Sequence, residues 1–290
     1  MKTLLFIACI TFLSPSVNGA AEGNWKYGEE ENWPGKCTNG TRQSPIDIIT
    51  AKAEKSPEWK NFTLTNFDKD LKSREFKHTG KTILLDLEGS GLSIENGGLN
   101  GTYQALQLHF HWANDSKSGA EHTIDGKEFP LELHIVTKNG DQEYGQQHAV
   151  LGFVFKVVDK NNTKFDSIAA EVPKIKAEDA KINIDVNIKS FLPSNMKVFY
   201  RYYGSLTTPN CDEDVIWSVF ETPIEISQYQ LSIFQDIHFS HGYANYRSIQ
   251  KLNNRKVLKF EAKPGETSSA SCLLYSSFSL IILLFATYML

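Results

Sequence analysis

The segment Gln107-Leu108-His109-Phe110-His111-Trp112, followed by Glu132-Leu133-His134, constrains this chain more than any other feature. In an extended strand, residues two apart share a face, so His109 and His111 project together while Leu108 and Phe110 point the other way. The run 129–137 is also strand-like, and its period puts Glu132 and His134 on one face. An antiparallel neighbour then carries the third imidazole across to the first two. Three neutral imidazoles can grip one zinc ion and leave a fourth position for water, which a closed structural site does not. A lone H-x-H pair has a plainer explanation, hydrogen-bonded histidines on a half-buried strand. The surrounding residues decide between the two.

Both ends of the chain carry processing signals. Met1-Lys2, the apolar run 4–13 and the small-residue ending Val17-Asn18-Gly19 fit a secretory signal over residues 1–19, cut near Gly19 or Ala20. That run is too short to span a bilayer. At the other end, Thr267-Ser268-Ser269-Ala270-Ser271, a mixed spacer to Ser279 and the terminal apolar run 280–290 are followed by no basic residue. This is the pattern of a cleaved glycosylphosphatidylinositol-anchor signal over 264–290, with attachment at Ser268 or Ser269 on the extracellular face of the plasma membrane. An uncleaved tail anchor is the alternative.

The cysteines agree with this processing. Of the four, Cys9 leaves with the signal and Cys272 with the tail, so Cys37 and Cys211 remain to form one disulfide. N-x-S/T acceptors at Asn39, Asn61, Asn100, Asn114 and Asn161 suit a secreted surface. A formal net charge of −4 and the absence of any long basic run give no reason to expect nucleic acid as a partner.

Residues 20–263 read as one domain, without repeat, heptad or linker. Short apolar runs bounded by turn residues recur at 82–87, Tyr103–Trp112, 129–137, 149–158, 198–203 and 215–220, each compatible with a strand. Helical candidates are few: 166–172 with Asp166 as a cap, and 227–234 opened by Ser227. The fold class is predominantly β with short peripheral helices.

Gln107, Trp112, Glu121-His122-Thr123, Glu132-x-His134 and Gly204-Ser205-Leu206-Thr207-Thr208-Pro209 follow in the order and near the spacing of an α-class carbonic anhydrase. The chain resembles that family from about Trp25 to Phe260, and most closely its lipid-anchored extracellular type. The resemblance implies a large twisted, mostly antiparallel sheet with Zn2+ in a conical cleft, held by His109, His111 and His134. It implies reversible hydration of carbon dioxide to bicarbonate and a proton, by attack of zinc-bound hydroxide, with esterase activity as a side reaction. A bicarbonate transporter is a partner class such an enzyme could serve.

By the same resemblance, Glu132 and Gln107 hold the imidazoles of His134 and His109. Thr207, directed by Glu121, orients the hydroxide, and Thr208 lines the substrate position. Val136, Val150, Leu206, Val215 and Trp217 form a dry wall for carbon dioxide. His122, Asn245 and Arg247 match structural positions. Lys81 stands where the family's proton-shuttling histidine usually lies, and an ammonium with a pKa near 10 is a poor shuttle at neutral pH. Regeneration should therefore lean on external buffer, unless His78 substitutes. The rival reading is a non-catalytic recognition protein on the same fold, but such relatives usually lose a zinc histidine, and this chain keeps all three.

Overall fold

The strand Tyr103–Trp112 shows how the sequence builds the molecule. Leu108, Phe110 and Trp112 enter the main hydrophobic core, while Gln107, His109 and His111 take the opposite face. Tyr103 and Ala105 belong to the same core despite their odd positions, because Leu106 is an extra residue between the pairs Ala105–Thr137 and Gln107–Val136. This bulge changes the phase of the strand. A strand of unbroken period two would have put the histidines in the core with Tyr103.

The structure, a computed structural model, describes residues 25–141 and 145–263. The expected signal peptide and the anchor segment with Ser268 and Ser269 lie outside the described residues. A 12-stranded sheet dominates. Its order is Lys181–Val186, Leu71–His78, Ile83–Asp86, Tyr103–Trp112, Leu131–Lys138, His148–Val158, Val215–Ser227, Val198–Gly204, Leu258–Glu261 and Glu54–Lys55. Two short strands, Thr63–Thr65 and Ser93–Glu95, attach beside Tyr103–Trp112. The pairings are antiparallel except His148–Val158 with Val215–Ser227 and Leu258–Glu261 with Glu54–Lys55. Among the described residues, no helix is long and apolar enough to cross a membrane.

The helix Gln228–Gln235 closes the core face of the sheet. Ser227 caps it with a full capping box shared with Gln230, as the sequence suggests. Its Phe234 ring packs 5.0 Å from Phe110 and 5.6 Å from Trp112, behind the histidine strand. Burying such a side chain contributes about 1.5–3 kcal/mol.

Two elements differ from expectation. The helix at 166 spans only Asp166–Ala169, and Asp166 does not cap it: its carboxylate accepts from Gln230 Nε2 at 2.7 Å. That long-range bond outcompetes local capping. The strand expected at 215–220 runs to Ser227, re-registering against its parallel neighbour between Phe153 and Phe155.

Candidate metal centre and active site

His109 lies directly opposite His134 in the antiparallel ladder, and His111 lies opposite Glu132. Ring centroids are 4.8 Å apart for His109 and His111, 5.1 Å for His109 and His134, and 4.6 Å for His111 and His134. One ligand atom from each ring lies within 4.8 Å of those of the other two.

The other nitrogen of each ring is fixed by an acceptor. His109 Nδ1–H donates to Gln107 Oε1 at 2.8 Å, His111 Nδ1–H to the Asn245 carbonyl at 2.7 Å, and His134 Nε2–H to Glu132 Oε1 at 2.8 Å. These acceptors assign the tautomers. They leave lone pairs on His109 Nε2, His111 Nε2 and His134 Nδ1. His111 Nε2 is buried without a partner, and His134 Nδ1 lies 3.3 Å from His109 Nε2. Two lone pairs at that distance repel each other unless a cation lies between them. The three nitrogens therefore fit a metal ion, and this donor set suits zinc.

Electrostatics keep the rings neutral, the form that binds metal. Burial, reinforced by neighbouring His134, pushes His111 down to about 3. Burial also sets His109 well below the ordinary imidazole range and lowers His134. Glu132 is lowered as well, which for a carboxyl favours the charged form. Burial alone would raise it, but His122 and His134 hold its carboxyl well below the ordinary range. Its Oε2 takes the backbone N–H groups of Glu121 and His122 at 2.8 Å, and its Oε1 takes His122 Nδ1–H as well as His134. Gly152 makes room for it, since a Cβ there would stand 3.1 Å from Glu132 Oε1.

Glu121 lies on the same side, with Oε2 3.9 Å from His134 Nδ1. Its Oε1 accepts the Arg247 backbone N–H at 2.9 Å. Burial raises its pKa well above the carboxylate norm, while the Arg247 amide and the Thr207 hydroxyl pull it back. Oε2 makes no hydrogen bond of its own. A cation held by His111 and His134 would favour the ionised carboxylate.

Val136, Val150, Val215 and Trp217 form one buried cluster, with Leu206 packed against it. Val136 pairs with Val150 and Val150 with Trp217, so these residues are adjacent across three strands. The Trp217 ring lies 4.7 Å from His134. Thr207 is buried and Thr208 half-buried.

The profile of eukaryotic-type carbonic anhydrases matches residues 22–261. "Carbonic anhydrase 4" of Mus musculus is 33% identical over 292 residues, covering 93% of each chain. "Carbonic anhydrase 6" of Bos taurus is 34% identical over 280 residues, covering 89% of this chain and 84% of that protein. The chain belongs to the eukaryotic-type carbonic anhydrase family. It is accordingly a lyase of the carbonic anhydrase class.

Within this carbonic anhydrase, the proton-path positions are occupied in ways that the sequence does not show. Lys81 Nζ donates to the Trp25 carbonyl at 2.7 Å and lies 4.7 Å over the Trp25 ring, with burial lowering its pKa. His78 is 1% exposed and packs on Phe239. His122 bridges Glu132 and the Tyr202 hydroxyl, outside the three-ring set.

Cys37 and Cys211 form a disulfide. Of the acceptor asparagines, Asn39, Asn100, Asn114 and Asn161 are exposed and Asn61 is half-buried. The Asn245 carbonyl that orients His111 has no counterpart in the sequence reading, because a backbone oxygen leaves no residue-type signal.

Proposed function

We propose that this carbonic anhydrase catalyses reversible hydration of carbon dioxide at the extracellular surface, with one zinc ion held by His109, His111 and His134. The observation that carries the reading is the convergence of three imidazole lone pairs whose opposite nitrogens are each hydrogen-bonded to an acceptor. When bound, zinc supplies a Lewis acid that lowers the pKa of a coordinated water to about 7, the value known for this family.

The chain's own residues do the rest. Gln107, Glu132 and the Asn245 carbonyl keep the imidazoles in the ligating tautomer. Buried Thr207 would donate to Glu121 and so present its oxygen as an acceptor, orienting the attacking group. Val136, Val150, Leu206, Val215 and Trp217 exclude water from the place where an apolar substrate sits, and Thr208 borders it.

The same centre supports hydrolysis of activated esters, as another electrophilic carbon. The signal-like start and anchor-like end support attachment by a glycosylphosphatidylinositol anchor, with bicarbonate passed to a membrane transporter.

Stopped-flow carbon dioxide hydration on residues 22–263, with zinc measured on the same sample, tests the activity. Zinc-dependent hydration is the expected result. A folded, zinc-loaded but inactive protein would favour the recognition protein. Phospholipase release from intact cells tests the anchor, and retention on the membrane would overturn it.

A further inference from the structure

Hydration of carbon dioxide produces one proton per turnover, and a buried centre needs a group that passes it to solvent. Lys81 is committed to Trp25, and His78 is sealed in the core. Of the eight histidines, three converge at the metal centre and His122 is held between Glu132 and Tyr202. His238 and His241 belong to the segment after the helix Gln228–Gln235, against Tyr243, Phe239 and Tyr27. His148 is different.

His148 begins the strand His148–Val158, and the ladders on both sides run without a break from His148 to Gly152. Period two therefore puts His148, Val150 and Gly152 on one face, while Ala149 and Leu151 enter the opposite core. Val150 belongs to the substrate wall, and Gly152 lies opposite His134. His148 thus extends the row that starts at the metal centre, about 14 Å along the strand from Gly152.

Its Nδ1 lies 2.8 Å from Asp214 Oδ2, with side chains 14% and 25% exposed. A carboxylate on Nδ1 fixes the tautomer, so the neutral ring presents its Nε2 lone pair. A base oriented by a carboxylate is the arrangement of general acid–base catalysis. Asp214 Oδ1 has no hydrogen-bond partner of its own. Lys138 faces His148 across the antiparallel ladder, and Glu213, beside Asp214, is engaged by Arg42 and Gln43.

We propose that His148, oriented by Asp214, is the proton-transfer residue of this enzyme. The proton released in hydration passes through cleft water to Nε2, the imidazolium charge is balanced by Asp214, and the proton then leaves to buffer, restoring the neutral ring. This rests on the hydration activity proposed above.

The test is hydration by the zinc-loaded wild type, His148→Ala, His148→Leu and Asp214→Asn over a series of buffer concentrations. At the lowest buffer, kcat of both His148 variants should fall by about tenfold, less than the usual contribution of a positioned base because solvent competes. Their kcat/KM should hold, and added imidazole should restore kcat. An unchanged low-buffer kcat in both, or a loss that imidazole does not repair, would overturn the proposal.

Ring 15N shifts in the metal-free protein give a reading independent of activity. The wild type should show His148 protonated at Nδ1 and bare at Nε2, and Asp214→Asn should admit the other tautomer; an Nε2–H ring in the wild type would overturn the proposal. If the wild type is inactive even at high buffer, the hydration reading fails. If it is active there with unaltered variants, only the role of His148 fails.

Discussion

Glu132 accepts a hydrogen bond from His134 Nε2 at 2.8 Å while the same oxygen accepts one from His122. One carboxylate oxygen therefore fixes the tautomer of a metal-facing ring and ties that ring to the packing of the sheet. Glu132→Gln keeps the size but replaces a charged acceptor with an amide that must also place two N–H donors. Zinc affinity should fall by about 10- to 100-fold, as for other groups that orient metal-bound histidines. Competition with a chelator of known affinity measures it, and undiminished affinity would sink the assignment.

His111→Ala removes a proposed ligand whose Nε2 lone pair is buried without a partner. The variant should keep its sheet, lose zinc on dialysis and show no hydration above background. Metal analysis and circular dichroism on one sample give both answers. Retention of a full equivalent of zinc would mean that the ion is held elsewhere, for instance by His122, Glu132 and His134, which also approach one another.

Thr207→Val removes the hydroxyl next to Glu121 and leaves the three imidazoles untouched. Zinc content should be unchanged while kcat/KM falls by on the order of 10²-fold, the scale of a misoriented reactant. Thr207→Ser should recover much of the loss. A valine variant with wild-type kcat/KM would remove Thr207 from the mechanism.

Acid should destabilise the zinc-free protein. The folded imidazoles of His109, His111 and His134 bind protons less readily than unfolded ones, with His111 pushed down to about 3. From the unfolded value of about 6.5 down to the depressed folded values, the unfolded chain carries more protons, so stability is lost as pH falls through that window. Glu121 opposes this, since its raised pKa costs stability as pH rises above about 4.5. Three imidazoles against one carboxyl predict a lower melting temperature at about pH 5 than at about pH 7. Equal values by calorimetry would contradict the burial argument.

Much of this architecture is legible before any coordinates. Alternation along Tyr103–Trp112 and around His134 places the candidate metal-facing residues on one side of a sheet, and Ser227 announces a helix start. The bulge at Leu106 is not legible, because an extra residue in a strand has no composition of its own and only the neighbouring ladder reveals it. The same holds for Asp166, whose choice of Gln230 over its own helix is a tertiary decision. His148 falls just outside the expected strand 149–158 and carries no signal until Asp214, the residue before the parallel neighbour, is placed beside it.

The bridge between Cys37 and Cys211 reaches further than local stability. Cys211 N–H donates to the Thr208 carbonyl at 2.8 Å, and Cys37 offers its own carbonyl to the Arg247 guanidinium at 2.9 Å, the residue whose backbone amide holds Glu121. The strands that carry the imidazoles are paired independently of it, in the ladder Tyr103–Trp112 with Leu131–Lys138, although the Asn245 carbonyl that orients His111 lies two residues from Arg247. A chain folded where thiols stay reduced would therefore keep the three imidazoles on paired strands but lose the tether on the segment that carries Thr207 and Thr208. Metal capture and catalytic competence would be separate stages of maturation, the second waiting on an oxidising compartment.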